Sequence, residues 1–268
     1  MGKPPIIELR QVSIALDEKQ ILSNISFSVN QKETLFLLGV TGSGKSVLLK
    51  VILGLIRPDS GRVLVYGEDL TPISENELDR FRKRMGIVFQ EGALFDSLSV
   101  YENVAYRLRE EGLVQESEIE RRVREVLRFV ELEEAIDKMP AELSGGMRRR
   151  VAIARAIISE PEIMLYDSPF AGLDPVTSHT ITIQIAKARD MQHVTSLVVT
   201  HRLQDAFVLA NYVYSDRKQT LLPVLNVDQG DVSPLTRFLV LREGAVYFQG
   251  TPRELVDTND PYLLKFLA

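Results

Sequence analysis

Apolar residues change their period several times along this chain, and each change marks an element. Over "IIELRQVSIAL" and "ILSNISFSV" they alternate partially, with a turn-like "DEKQ" between, which predicts two short strands. "TLFLLGV", residues 34–40, is apolar throughout and predicts a strand buried on both faces, as in a parallel sheet. "SVLLKVILGLI" then takes up helical spacing and is ended by Pro58, Asp59, Ser60 and Gly61. "GRVLVYGEDL" predicts a strand with Gly67 at its turn, residues 75–84 a charged helix, and "MGIVFQ" a further strand.

From about 100 to 160 the pattern is mostly helical. In "ESEIERRVREVLRFVEL" the apolar positions Ile119, Val123, Val126, Leu127 and Val130 share one helix face. Strands return at "EIMLYD" and "TSLVVTH", with "HTITIQIAKARDMQ" as a crossover helix between them. That alternation implies a parallel sheet wrapped by helices, an α/β fold. Residues 211–237 are less regular, with Pro223, Gly230 and Pro234 as breakers, and "FLVLREGAVYFQG" predicts a hairpin. "TPRELV" opens a helix, with Thr251 as N-cap, Pro252 in the first turn and Glu254 three residues after the cap.

Composition narrows the classes. The 268 residues, 45% hydrophobic, can bury a sizeable core. With 37 acidic and 32 basic side chains the formal charge is -5, which argues against a nucleic-acid binder working through phosphate contacts. The absence of cysteine excludes disulfides and thiolate metal sites. "MGKPPIIELR" lacks the apolar run of a signal peptide, and no stretch approaches the roughly 20 apolar residues of a membrane helix.

Residues 39–46, Gly-Val-Thr-Gly-Ser-Gly-Lys-Ser, complete a GxxxxGK[ST] pattern between a buried strand and a helix. Glycines there let backbone N–H groups close around phosphate oxygens, and the new helix points its positive end at the same anion. The candidate nucleotide contacts are Gly39, Thr41, Gly42, Ser43, Gly44, Lys45, Ser46 and Val47. Lys45 can reach the β- and γ-phosphates and Ser46 can ligate Mg²⁺. Asp167, at the end of "EIMLYD", stands where open α/β sheets bind ligands and can hold the magnesium through water. A lone aspartate there could equally be a turn or helix cap.

"LSGGMRRRVAIARAI", residues 143–157, resembles the signature motif of ABC ATPases, usually LSGGQ followed by a helix. Ser144, Gly145 and Gly146 open a helix and can present N–H donors to an anion. In that family the signature caps the γ-phosphate bound by the other protomer, so two ATP molecules lie between two head-to-tail copies. Further resemblances follow in order. Gln90, ending "GIVFQ", matches the Q-loop glutamine that touches magnesium and the attacking water. Asp174, in "AGLDP", matches the D-loop at the dimer interface, and His201, after "LVVT", matches the switch histidine at the γ-phosphate. The resemblance covers nearly the whole chain. It implies one ABC ATPase domain over 1–268: a P-loop NTPase core with a mostly parallel sheet, an N-terminal antiparallel β subdomain, and a helical subdomain over about 92–160. It also implies ATP and Mg²⁺ as cofactors.

"GALFDSLSVYENVAY", within residues 89–110, together with "LSGGM" looks like the ATPase of Mla/Mce-type lipid transporters. That resemblance implies a multispan permease partner, a second copy of the chain, a periplasmic-side lipid-binding Mce protein, and a peripheral place on the cytoplasmic face of the inner membrane. Leu94, Phe95, Leu98 and Val100 could instead be ordinary core. ATPases of other ABC importers or exporters, or a weakly hydrolysing ATP-gated clamp, are the alternatives. The chain has neither sustained heptads nor the guanine-reading NKxD.

Three departures stand out. Ser168 occupies the place where ABC ATPases usually carry the glutamate that polarises water. Hydrolysis is then slow but real, or another carboxylate has taken over, or the chain opens and closes without useful turnover. "VSIALDEKQ" offers no aromatic to stack on adenine, only Leu16 near the expected position. Finally, an extra loop or hairpin over about 211–237 precedes "RFLVLREG" and is either plain surface or a partner contact.

Overall fold

The structure, a computed structural model, describes residues 4–112, 114–224 and 235–267. β1 (Ile7–Leu16) and β2 (Lys19–Val29) form an antiparallel pair whose turn passes through Asp17 and Glu18, both at positive φ, 49° and 62°. β3 (Thr34–Gly39) leads through a loop into α1 (Lys45–Ile52). β4 (Ser60–Val65) returns to pair with β1, and β5 (Glu68–Asp69) closes a four-stranded sheet of order β2-β1-β4-β5.

After α2 (Glu75–Arg82) and β6 (Met85–Val88) come three helices, α3 (Val100–Glu111), α4 (Glu116–Phe129) and α5 (Gly145–Ile157). β7 (Ile163–Asp167), α6 (Pro175–Gln192), β8 (Thr195–Val199) and α7 (Leu203–Asn211) continue the α/β alternation. β9 (Tyr212–Ser215) and β10 (Thr220–Pro223) make a separate hairpin. β11 (Thr236–Arg242), β12 (Ala245–Gly250), α8 (Pro252–Val256) and α9 (Pro261–Leu267) finish the chain. The main sheet runs β12-β11-β3-β8-β7-β6; β11, β3, β8, β7 and β6 are mutually parallel and β12 is antiparallel at the edge. The fold is α/β: a parallel-rich core beside an antiparallel β sheet, with α3 to α5 as a helical block.

The apolar runs are continuous because both faces of the main sheet are covered. Alternate residues of each strand feed two different cores. Leu35 and Leu37 of β3, Leu165 of β7, Leu197 of β8 and Leu239 of β11 join the core under the antiparallel sheet and α1. Phe36, Tyr166, Val198 and Phe238 join the core under α3 to α6. Phe36 and Phe238 are register partners and stack with centroids 5.2 Å apart.

Several boundaries differ from those expected. β3 stops at Gly39, and Val40 is 54% exposed, because the chain must leave the sheet there to enter the loop. The helix expected through Ile56 ends at Ile52, with Gly54 beyond it at φ 67°. The crossover helix starts at Pro175 rather than His179, because Asp174 caps it and Pro175 suits its first turn. α7 was not anticipated in "RLQDAFVLA". Of residues 211–237, residues 225–234, including Gly230 and Pro234, lie outside the described part; Pro223 ends β10 opposite Tyr212.

Candidate nucleotide site

The C-terminal ends of the parallel strands carry the candidate chemistry, where strand ends and loop backbone leave groups free for a ligand. Gly44 caps α1 with φ 96°, and a Cβ there would approach Leu22 Cδ2 to 2.6 Å. Only glycine fits this turn, which aims the first amides of α1 into the loop. Ser43 and Gly44 are buried, Thr41, Gly42 and Ser46 exposed, and Val47 half-buried against the core below.

Lys45 Nζ donates to the carbonyl oxygens of Gly39 (2.9 Å) and Val40 (2.8 Å) and lies 3.4 Å from Ser43 Oγ. The ammonium is therefore held inside the loop, where phosphate oxygens could replace carbonyls as its acceptors. Burial lowers its pKa, and the nearby Asp167 carboxylate opposes that shift. Ser46 Oγ donates to Asp167 Oδ1 at 3.2 Å. A hydroxyl and a carboxylate from two elements 121 residues apart in sequence thus converge. They fit an oxygen-preferring cation such as Mg²⁺, which takes one or two protein oxygens plus phosphates and waters.

Ser168 follows with φ 50°, its N–H donating to Val199 O (3.0 Å) and its Oγ to Asp167 Oδ1 (3.3 Å). The hydroxyl sits beside the Asp167 carboxylate but offers no base at neutral pH. His201, beyond β8, and Gln90, beyond β6, are exposed at the same sheet edge.

Ser144 N-caps α5 by accepting from Met147 N at 3.2 Å. Ser144 and Gly145 are exposed, whereas Gly146 packs against Thr177 so closely that a Cβ would collide with it. Gly145 shares a cavity of about 650 Å³ with Gln90, Arg149, Ala171 and Leu173, and no residue of 39–46 lines it. Within one chain the turns at 39–46 and at 144–146 thus open onto different spaces. Asp174 accepts from Val176 N and Thr177 N, both 3.0 Å, and from Thr177 Oγ1 at 2.6 Å. The Thr177 hydroxyl, then its amide, hold the Asp174 carboxyl below its ordinary pKa.

Two residues the motifs did not reveal organise this edge. Arg149, 7% exposed, donates from Nη1 to Ser168 O (3.0 Å) and Pro169 O (2.9 Å), and from Nη2 to Ala171 O (2.8 Å). Periodicity could not pick it out, because Arg150 has Ile153, Ala154 and Ile157 at the same spacings of three, four and seven, and these are buried too. Arg202 donates to Ser178 Oγ at 2.7 Å and pairs with Asp205 at 2.9 Å.

Leu16 is 40% exposed at the end of β1, so an apolar contact is what this edge offers a base. GTP is expected to displace labelled ATP at concentrations within about tenfold of ATP itself, because the missing stack is worth about 1 kcal/mol. Discrimination beyond ~100-fold in that competition would mean that some other group reads the base.

A groove of about 670 Å³ lies beside the segment after Gln90, lined in part by Leu55, Phe89, Phe95, Tyr106, Glu110 and Arg155. Phe95 and Tyr106 are 43% and 40% exposed with ring centroids 4.7 Å apart. Val100 is buried in the core and Leu94 and Leu98 are half-buried, so of these four only Phe95 is largely presented outward.

The family model for ABC transporters matches residues 22–171. The Haemophilus influenzae intermembrane phospholipid transport system ATP-binding protein MlaF is 32% identical over 98% of this chain and 90% of its own. The sulfate/thiosulfate import ATP-binding protein CysA of Methylococcus capsulatus is 37% identical over 87% of this chain and 66% of its own. Among solved structures, the dimeric post-hydrolysis state of the ATP-binding cassette MJ0796 with ADP and Pi superposes with a TM-score of 0.76 at 28% identity, covering 91% of this chain and 98% of that one.

Proposed function

Because the chain belongs to the ABC transporter family of ATP-binding proteins, we propose that it is the ATPase subunit of a lipid transporter of the Mla/Mce type. The observation that carries the transporter reading is the aromatic groove beside the Gln90 segment. Phe95, Tyr106 and Leu55 (52% exposed) leave apolar surface open to water next to the nucleotide edge. No helix among the described residues is long and apolar enough to cross a membrane, so a partner must supply the lipid path. A multispan permease docks a cytoplasmic segment in the groove, and a lipid-binding Mce protein completes the complex on the periplasmic side. The chain is then peripheral on the cytoplasmic face of the inner membrane. Similarity to MlaF over almost the full length supports lipid as cargo. The identity with CysA supports a second reading, the ATPase of another importer.

In this reading two copies close head to tail on two ATP molecules. Lys45 and the amides of 39–46 hold the β- and γ-phosphates of one nucleotide, and Ser144 and Gly145 of the second copy cap its γ-phosphate. Ser46, Asp167 and Gln90 would hold Mg²⁺, which when bound would supply neutralisation of charge building on the phosphate oxygens. Gln90 and His201 orient water. Ser168 leaves that water without a proton acceptor from this chain's usual position, so the closed state persists longer than it would with a carboxylate there. Exposed Ser144, Asp174 and Val176 (77% exposed) give the second copy its contact surface.

The test is co-purification from membranes. The chain is expected to bring down a multispan membrane protein with bound lipid. Phe95→Asp is expected to reduce that recovery by about tenfold or more, while ATP affinity stays within about twofold. Recovery of a sulfate-selective permease would favour the importer reading, and no membrane partner at all would sink both.

A further inference from the structure

Arg149 and Arg202 anchor the two ends of the stretch from Ser168 to Ser178. Arg149 projects from α5, five residues after the exposed Ser144, and its guanidinium is spent on three backbone carbonyls, those of Ser168, Pro169 and Ala171. Those carbonyls belong to the turn in which Ser168 sits at φ 50°. Arg202 directly follows His201; its guanidinium reaches Ser178 Oγ at 2.7 Å and is steadied by Asp205 at 2.9 Å. Between the two anchor points lies Asp174, which caps α6. A fork of N–H donors on neutral carbonyls is directional as well as strong, so a shift of α5 is transmitted to the 168–171 backbone rather than absorbed.

We propose that Arg149 is a positioning residue linking the two nucleotide sites: it fixes the backbone of residue 168, at the chain's own nucleotide, according to how α5 is seated on the partner's nucleotide. This rests on the head-to-tail reading above. Ser144 and Gly145 engage the partner's γ-phosphate at the N-terminus of α5. Arg149 carries the seating of that helix to residues 168–171, and Arg202 holds the far end of the segment beside His201. Closure on one nucleotide thereby sets the geometry for water attack at the other. The brace acts on the turn, not on the phosphates, so its loss alters turnover rather than nucleotide binding.

The experiment uses the full chain with ATP and Mg²⁺, with dimerisation read by sedimentation and turnover by phosphate release. Arg149→Gln is expected to leave the ATP concentration for half-maximal dimerisation and the KM within about twofold, while kcat falls about tenfold. Arg149→Lys is expected to recover part of that loss but not all of it, leaving kcat at least about threefold below the unsubstituted chain, since one ammonium can reach only some of the carbonyls. The decisive readout is in the Ser168→Glu background. If Arg149 positions residue 168, the gain from the new carboxylate shrinks below about twofold when Arg149→Gln is added. A full gain in the double variant overturns the proposal, as does dimerisation falling in step with kcat, or a kcat unchanged by Arg149→Gln. Should Arg149→Gln fail to fold, Arg149→Lys carries the same test: a lowered kcat with normal dimerisation supports the link, and a normal kcat overturns it. Failure of the unsubstituted chain to dimerise with ATP, alone and with its membrane partner, would remove the head-to-tail reading itself.

Discussion

Ser168→Glu is expected to raise ATP turnover by the assembled complex by about tenfold or more, the low end of what a positioned general base contributes. The backbone at this position is already set for the task. Ser168 lies at the end of β7 with φ 50°, its N–H on Val199 O and its carbonyl on Arg149. Glutamate meets the same backbone penalty in the left-handed region as serine does, so the exchange asks little of the fold. Its longer side chain would bring a carboxylate to the side of Asp167 where Ser168 Oγ now lies 3.3 Å from Oδ1, next to the phosphates of the proposed reading. A tenfold gain corresponds to about 1.4 kcal/mol off the barrier. Phosphate release from the purified complex measures it. An unchanged rate would mean that another carboxylate already serves, and a search among acidic residues near the site would start from Glu91, which faces Arg149.

The parallel core was legible because its physics is one-dimensional. "TLFLLGV" and "EIMLYD" are apolar at every step since each strand lies between two cores, and no other placement buries both faces. The phosphate loop was legible for a related reason: the glycine at position 44 answers a local demand of the backbone, φ 96° against Leu22. What the sequence hid depends on contacts between distant segments. "MRRRV" contains three consecutive arginines, and which one turns inward is decided by the packing of α5 on the 168–171 turn, 19 to 22 residues away. The start of α6 was misplaced because Asp174 was assigned to an interface motif, although it also makes an ordinary helix cap. The groove at Phe95 was ambiguous for another reason. Val100 and Phe95 look equally apolar in sequence, yet Val100 is fully buried and Phe95 is 43% exposed.

Asp167→Asn is expected to raise the Mg²⁺ concentration needed for ATP turnover by about 10–100-fold, the usual cost of altering a group that holds or orients a metal. Asparagine keeps the shape and can still accept from Ser46 and Ser168, whose hydroxyls now lie 3.2 Å and 3.3 Å from Asp167 Oδ1. Only the charge is lost, so the fold is retained and the effect reports electrostatics. A second readout separates this from general damage. Without metal, ATP binding near pH 7 is expected to be as tight as in the unsubstituted chain or tighter, because a negative charge near the triphosphate has gone. Lys45 sets the alkaline limit of that binding. Burial already lowers its pKa and Asp167 opposes the shift, so the asparagine variant lowers it further. A lysine is charged below its pKa, and phosphate binding prefers the charged form. Metal-free ATP affinity should therefore fall away at a lower pH in Asp167→Asn than in the unsubstituted chain. Calorimetric titrations with and without Mg²⁺ across pH 7 to 10 measure both effects. An unchanged metal requirement would show that the cation is held by groups other than Asp167.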